Sequence, residues 1–130
     1  MTADKRDRGD VSVVMIILLV MVFGGAGLVV DGGRALSARR HASNTAEAAA
    51  RAAVSTVTPV TGFDPDIARV AAMGYAVRAG VPPADVRVEV GVDFVTVFIL
   101  ERRDTVFLIL GGEETMTVQA SGTARVTYSE

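Results

Sequence analysis

His41 is the only histidine of the chain, and Ser37 and Ser43 lie close to it, so this is the first place to look for chemistry. An imidazole can serve as a general base or a metal ligand near neutral pH. Serine and histidine a helical turn apart do not make an activated nucleophile, however, because a triad needs a third group to hold the ring. A metal would have to be bound by several carboxylates, since the chain has no cysteine and no second histidine, and the neighbouring arginines disfavour a cation. His41 is therefore expected at a surface or interface. Gly24-Gly25-Ala26-Gly27 and Gly111-Gly112 share only their glycines with phosphate loops and lack the Lys-Ser/Thr ending. Arg8-Gly9-Asp10 spells an adhesion tripeptide, a coincidence common at three residues. No enzyme activity, catalytic residue, cofactor, metal or small-molecule substrate is expected.

Asp31 and Arg34 are the more informative charges. They stand three apart on one helical face, where an apolar run meets polar sequence, and a pair there would fix the depth and rotation of the helix. The plain alternative is two solvated charges at headgroup level, worth about 0–1 kcal/mol as a pair. Both readings stay open, with a partner contact favoured.

The run that Asp31 closes is Val11 to Val30, twenty uncharged and mostly apolar residues. At helical rise it spans about 30 Å, the thickness of a bilayer's hydrocarbon core. A cleavable signal peptide would be shorter and followed by a small-x-small site, whereas here the chain runs on through Asp31, Gly32, Gly33 and Arg34. A retained single membrane span, with lipid as a partner, is the expectation. Lys5, Arg6 and Arg8 before it are balanced by Arg34, Arg39 and Arg40 after it, so the positive-inside count is nearly a tie.

Among all 130 residues, 13 basic side chains face 15 acidic ones, which leaves no single-sign field to hold nucleic acid. The sequence beyond the span is long enough for one small domain. The organisation expected is a head at 1–10, a span at 11–30, a helical extension at 31–54 and an α+β domain at 55–130.

The extension is proline-free and rich in good helix formers to about Val54. Ala35, Ala38, Ala42, Ala46, Ala49 and Ala53 recur at spacings of three and four, a narrow stripe that permits close packing. The glycines Gly24, Gly25, Gly27, Gly32 and Gly33 are its weak points, and read as packing residues before they read as a functional bend. Asp64 caps a second helix with Pro65 in its first turn, Ile67, Val70, Ala71, Gly74, Tyr75 and Val77 form its apolar face, and Gly80, Pro82 and Pro83 end it. Val86, Val88, Val90 and Val92 alternate with polar residues as a strand, and Asp93 turns the chain into Phe94 to Leu100, a central strand apolar on both faces. Thr105 to Leu110 reads as a short helix in preference to a strand. Thr115 to Tyr128 is a long alternating strand, with a bend expected at Gly122.

A charged head ending in Arg8-Gly9, an apolar span running into Asp31-Gly32-Gly33-Arg34, and the alanine-rich stretch Ala35 to Ala53 with Asn44 inside it resemble the TadE/TadG-like family of Flp (tight adherence) pilus-assembly proteins. These are pseudopilin-type components of a type IV pilus-like machine. The resemblance covers about the first 54 residues, and beyond them holds only in style. It implies a pilin-like α+β fold, a bacterial inner or plasma membrane location with the head in the cytoplasm and the domain outside, and other pilus-assembly or pseudopilin subunits as partners. Processing by a prepilin peptidase would fall between Gly9 and Asp10. Processed members carry a glutamate at the fifth mature position, where this chain has Val14, and no glutamate occurs between Asp10 and Asp31. That departure points to the TadG-like branch and to an anchored accessory protein before a fibre subunit. The alternative, of a different class, is an anchored extracytoplasmic ligand-binding module whose pocket is lined by Phe94 to Leu100.

Overall fold

The computed structural model describes residues 7–127, so most of the head, including Lys5 and Arg6, and the expected strand end at Tyr128 lie outside the described residues. One helix, α1 (Asp7–Val54), runs without interruption through both the apolar run and the alanine-rich extension. Its glycines do not break it, because a run of 48 helical residues absorbs a cost of about 1 kcal/mol per glycine. Of its most apolar stretch only 6 % is buried against the rest of the molecule. The helix is long and apolar enough to cross a membrane, and that stretch is not the core of a globular domain.

The rest of the chain packs on the second half of α1. Helix α2 (Pro65–Arg78) begins at Asp64, whose Oδ1 accepts from the backbone N–H of Asp66 at 2.9 Å and of Ile67 at 3.2 Å, with Pro65 at the first helical position. Strands β1 (Val86–Val90), β2 (Phe94–Asp104) and β3 (Thr115–Arg125) form an antiparallel sheet in the order β1-β2-β3. The β1–β2 reversal includes Asp93, and Gly91 N–H bonds across it to the Phe94 carbonyl at 2.8 Å. The architecture is α+β, a long N-terminal helix carrying a second helix and a three-stranded sheet, as the sequence leads one to expect.

The core is made from the alanine stripe. Ala38, Ala42, Ala46, Ala49, Ala50 and Ala53 of α1 are buried, and those from Ala42 onward join one cluster with Ala68, Ala72 and Ala76 of α2 and Val95, Val97 and Ile99 of β2. The apolar face anticipated for α2 is not the buried one. Ile67 and Val70 are exposed at 51 % and 72 %, and an i, i+4 row of alanines faces α1 in their place. Small side chains on both helices let the backbones approach closely, and large residues on the seam would hold them apart.

Both helices cover the same face of the sheet. The outer face carries Phe98 and Leu100 only half buried, beside Arg87, Gln119, Ser121 and the Thr96–Thr123 hydroxyl pair at 2.8 Å. Two further expectations change in detail. β2 continues past Leu100 through Glu101, Arg102 and Arg103 to Asp104, because pairing with β3 holds the charged residues in register. Gly122 pairs with Val97 in an unbroken ladder and makes no bulge. A Cβ built there would overlap the backbone of Ala46 and Glu47, so this glycine is where the sheet touches α1.

Candidate functional site

The β2–β3 hairpin lies lengthwise along α1. Its middle meets the helix at Ala46 and Glu47, and its tip reaches down to Asp31 and Gly27. The tip is Thr105 to Glu114, and within it Val106-Phe107-Leu108-Ile109-Leu110 is wholly apolar. Hairpin tips normally carry polar turn formers. This one carries five large apolar side chains, all exposed, with Leu110 at 86 %.

Asp31 holds the tip. Its carboxylate is almost fully buried, with Oδ1 accepting from Val106 N–H at 2.9 Å and Oδ2 from Phe107 N–H and Leu108 N–H, each at 2.9 Å. Three successive amides thus converge on one anion at the start of the 3₁₀ turn Leu108–Gly111, as they would on a capping side chain within the turn's own sequence. The Val106 amide is the largest influence holding the carboxyl below its ordinary pKa. Desolvation opposes it, and the Leu108 and Phe107 amides and the Arg34 charge assist. No ion pair within 4 Å joins Asp31 to Arg34 among the described residues; Arg34 is exposed.

Several other amides of the tip bond within it. Thr105 N–H donates to the Glu114 carbonyl at 2.9 Å, and its hydroxyl donates to the Glu113 carbonyl. Leu110, Gly112 and Glu113 N–H groups donate to Phe107, Ile109 and Leu108 carbonyls at 3.1, 3.0 and 3.1 Å. Gly112, at a φ of 92°, supplies the left-handed turn that closes the loop. Phe107 lies over Gly27 of α1 so closely that any Cβ there would strike its ring. Below it Phe107 and Leu110 border an apolar groove of about 370 Å³ with Ile16, Leu19, Val20, Phe23 and Gly24. Gly27 therefore packs against this chain's own loop, while Gly24, Gly32 and Gly33 have open space around them.

The residues that could carry catalysis are dispersed. His41 Nδ1 is hydrogen-bonded to Glu101 Oε2 at 3.1 Å, and Glu101 also accepts from Arg103. Arg102 Nη1 donates to both oxygens of Asp85, at 2.7 and 3.0 Å. Glu101 can orient the imidazole, but Ser37 lines a different cleft with Arg34 and Arg103, and Ser43 a third with Arg39 and Arg40. Among the described residues no group of three His, Cys, Asp or Glu side chains is placed to hold a metal. Gly9 and Asp10 lie exposed in the first turns of α1, away from the hairpin tip.

The stretch comprising the apolar run, Asp31 and the alanine stripe is also the stretch that relates this chain to others. Residues 9–56 match the model of the Tad family, described as Flp pilus-assembly TadE/G-like. No curated protein and no solved structure matches the chain. The family so described is one of Flp pilus assembly, and the likeness is confined to residues 9–56. The match ends at the close of α1, so α2, the sheet and the apolar hairpin tip lie beyond the TadE/G-like segment. Sequence reasoning singled out Asp31 and missed its partners. The signal available was the apolar pentapeptide itself, set where a turn should be polar.

Proposed function

We propose that this chain is a membrane-anchored minor pseudopilin or accessory component of Flp/Tad-type pilus assembly or secretion, acting through protein contacts. Residues 11–30 cross the inner or plasma membrane with the head in the cytoplasm, and the domain after residue 30 stands outside. The observation that carries the reading is the TadE/G-like match to residues 9–56 coinciding with one continuous helix, half bare apolar surface and half alanine-packed stem. The exposed row containing Ile67 and Val70 on α2 supports partner contact, since large apolar side chains grouped on a helix face are the usual anchors of interfaces.

Complementation in the encoding organism tests this. A chain carrying Ile67→Asp and Val70→Asp should reach the membrane at normal levels and fail to restore pili. Full piliation by that variant would remove α2 as the contact surface, and unaffected piliation on deleting the gene would sink the reading itself. The N-terminus of the membrane-isolated protein then separates the two roles. A chain beginning at Asp10 is a processed pseudopilin, whereas one beginning at Met1 or Thr2 is a permanent anchor with accessory work.

A further inference from the structure

We propose that the apolar hairpin tip, Val106 to Leu110, is a second membrane element that inserts beside α1 into the leaflet on the domain's side, with lipid acyl chains as its partner. The proposal rests on reading residues 11–30 as a membrane span. Given that reading, depth follows from contacts. Phe107 lies on Gly27 and Leu110 borders a groove that includes Phe23, which is about 12 Å down the helix from Asp31 at helical rise. Half a hydrocarbon core is about 15 Å, so the tip occupies acyl-chain depth and not the headgroup layer.

Two further observations favour lipid over water or protein. Irregular backbone enters hydrocarbon only when its polar groups are satisfied. Here the N–H groups of Thr105 to Leu108, and of Leu110, Gly112 and Glu113, all have acceptors, three of them supplied by Asp31. Charge is also distributed as an interface requires. Val106 to Gly112 carries none, while Arg34, Arg103, Asp104, Glu113 and Glu114 gather at the neck where the tip leaves the domain. The lipid-facing surface of the span continues directly onto the tip through Ile16, Leu19, Val20 and Phe23. Asp31 is then the positioning residue of this element: by bonding amides that water cannot reach, it lets a turn sit at a depth normally reserved for helices.

The chain has no tryptophan, so one introduced indole reports one position. Leu110→Trp, Leu18→Trp and Val60→Trp, each in the full chain, are reconstituted in phosphatidylcholine vesicles whose acyl chains are brominated, and titrated separately with aqueous iodide. Leu110→Trp is expected to lose most of its fluorescence to the brominated chains and little to iodide, as Leu18→Trp in the span does, while Val60→Trp responds to iodide. Iodide quenching at Leu110→Trp with bromine quenching retained at Leu18→Trp overturns the proposal and leaves the span intact. Shielding of Leu110→Trp from both quenchers overturns it in favour of a protein occupant such as a second copy. Failure of bromine to reach Leu18→Trp removes the span itself, and the inserted tip with it. Asp31→Asn in the Leu110→Trp background should shift quenching from bromine towards iodide; no shift would deny Asp31 its positioning role.

Discussion

Asp31 shows how much one carboxylate can organise when it sits where a long helix leaves its apolar run. Its folded pKa is depressed, chiefly by the Val106 amide, so the stability it contributes is present above the ordinary carboxylate value and lost as pH falls through the depressed one. The other charges near it, Arg34 on its own helix and Arg103 and Asp104 on β2, are exposed. The tip should therefore stay docked at neutral and mildly acid pH, and release only at pH below about 4. Amide hydrogen exchange at Val106, Phe107 and Leu108 checks this, with protection flat through the neutral range and falling at the acid end; loss of protection near pH 6 would implicate another group. Gly122 is the second residue with a single decisive contact. Gly122→Ala must push β3 off the α1 backbone at Ala46 and Glu47, and overpacking of this kind costs about 1–3 kcal/mol. Thermal unfolding of the full chain in detergent should register that loss, while Gly33→Ala, with open space around it, should leave the melting temperature unchanged or raised.

Among the elements, those with strong local signals were legible and those decided by long-range choice were not. The end of α1 at Val54, the Asp64–Pro65 start of α2, the hairpin at Asp93 and the two faces of β3 follow from propensity, capping and period two. The buried side of α2 does not follow, because it offers both a row of large apolar residues and a row of alanines. α1 had already committed its own alanines to the seam, so shape matching outweighed hydrophobic size. The candidate site was half legible for the same reason. A lone Asp after an apolar run announces a boundary, but the amides it bonds come more than seventy residues later and carry no local mark. If close approach is what holds α1 to α2, Ala72→Leu should cost about 1–3 kcal/mol through overpacking although it adds apolar area. A variant as stable as the parent in denaturant titration would show that the helices are not held at alanine distance.

On the scale of the whole molecule, a span tied to its domain by one helix can rotate about its own axis, and a second inserted element removes that freedom. The tip lies on one side of α1, so anchoring it would present α2, with Ile67 and Val70, in one direction relative to the bilayer. An assembly component that meets neighbours laterally gains from such fixed bearing, because orientational freedom lost before association is not lost again on binding. Surface ion pairs cannot supply this. The His41–Glu101 hydrogen bond and the Arg102–Asp85 ion pair join parts of the domain to each other, and ion pairs at a surface are worth about 0–1 kcal/mol. His41→Ala is accordingly expected to leave both membrane residence and piliation intact. A charge at Leu18 or Leu19 should abolish residence, since at the centre of a span it costs about 2.5–3.5 kcal/mol even on the mildest scale. Between these extremes lies the informative variant, Leu110→Asp, which should remain in the membrane through α1 yet impair piliation as severely as the Ile67→Asp and Val70→Asp pair. Membrane fractionation with pilus counts on the same cells reads both quantities, and normal piliation by Leu110→Asp would show that the direction in which α2 points does not matter to assembly.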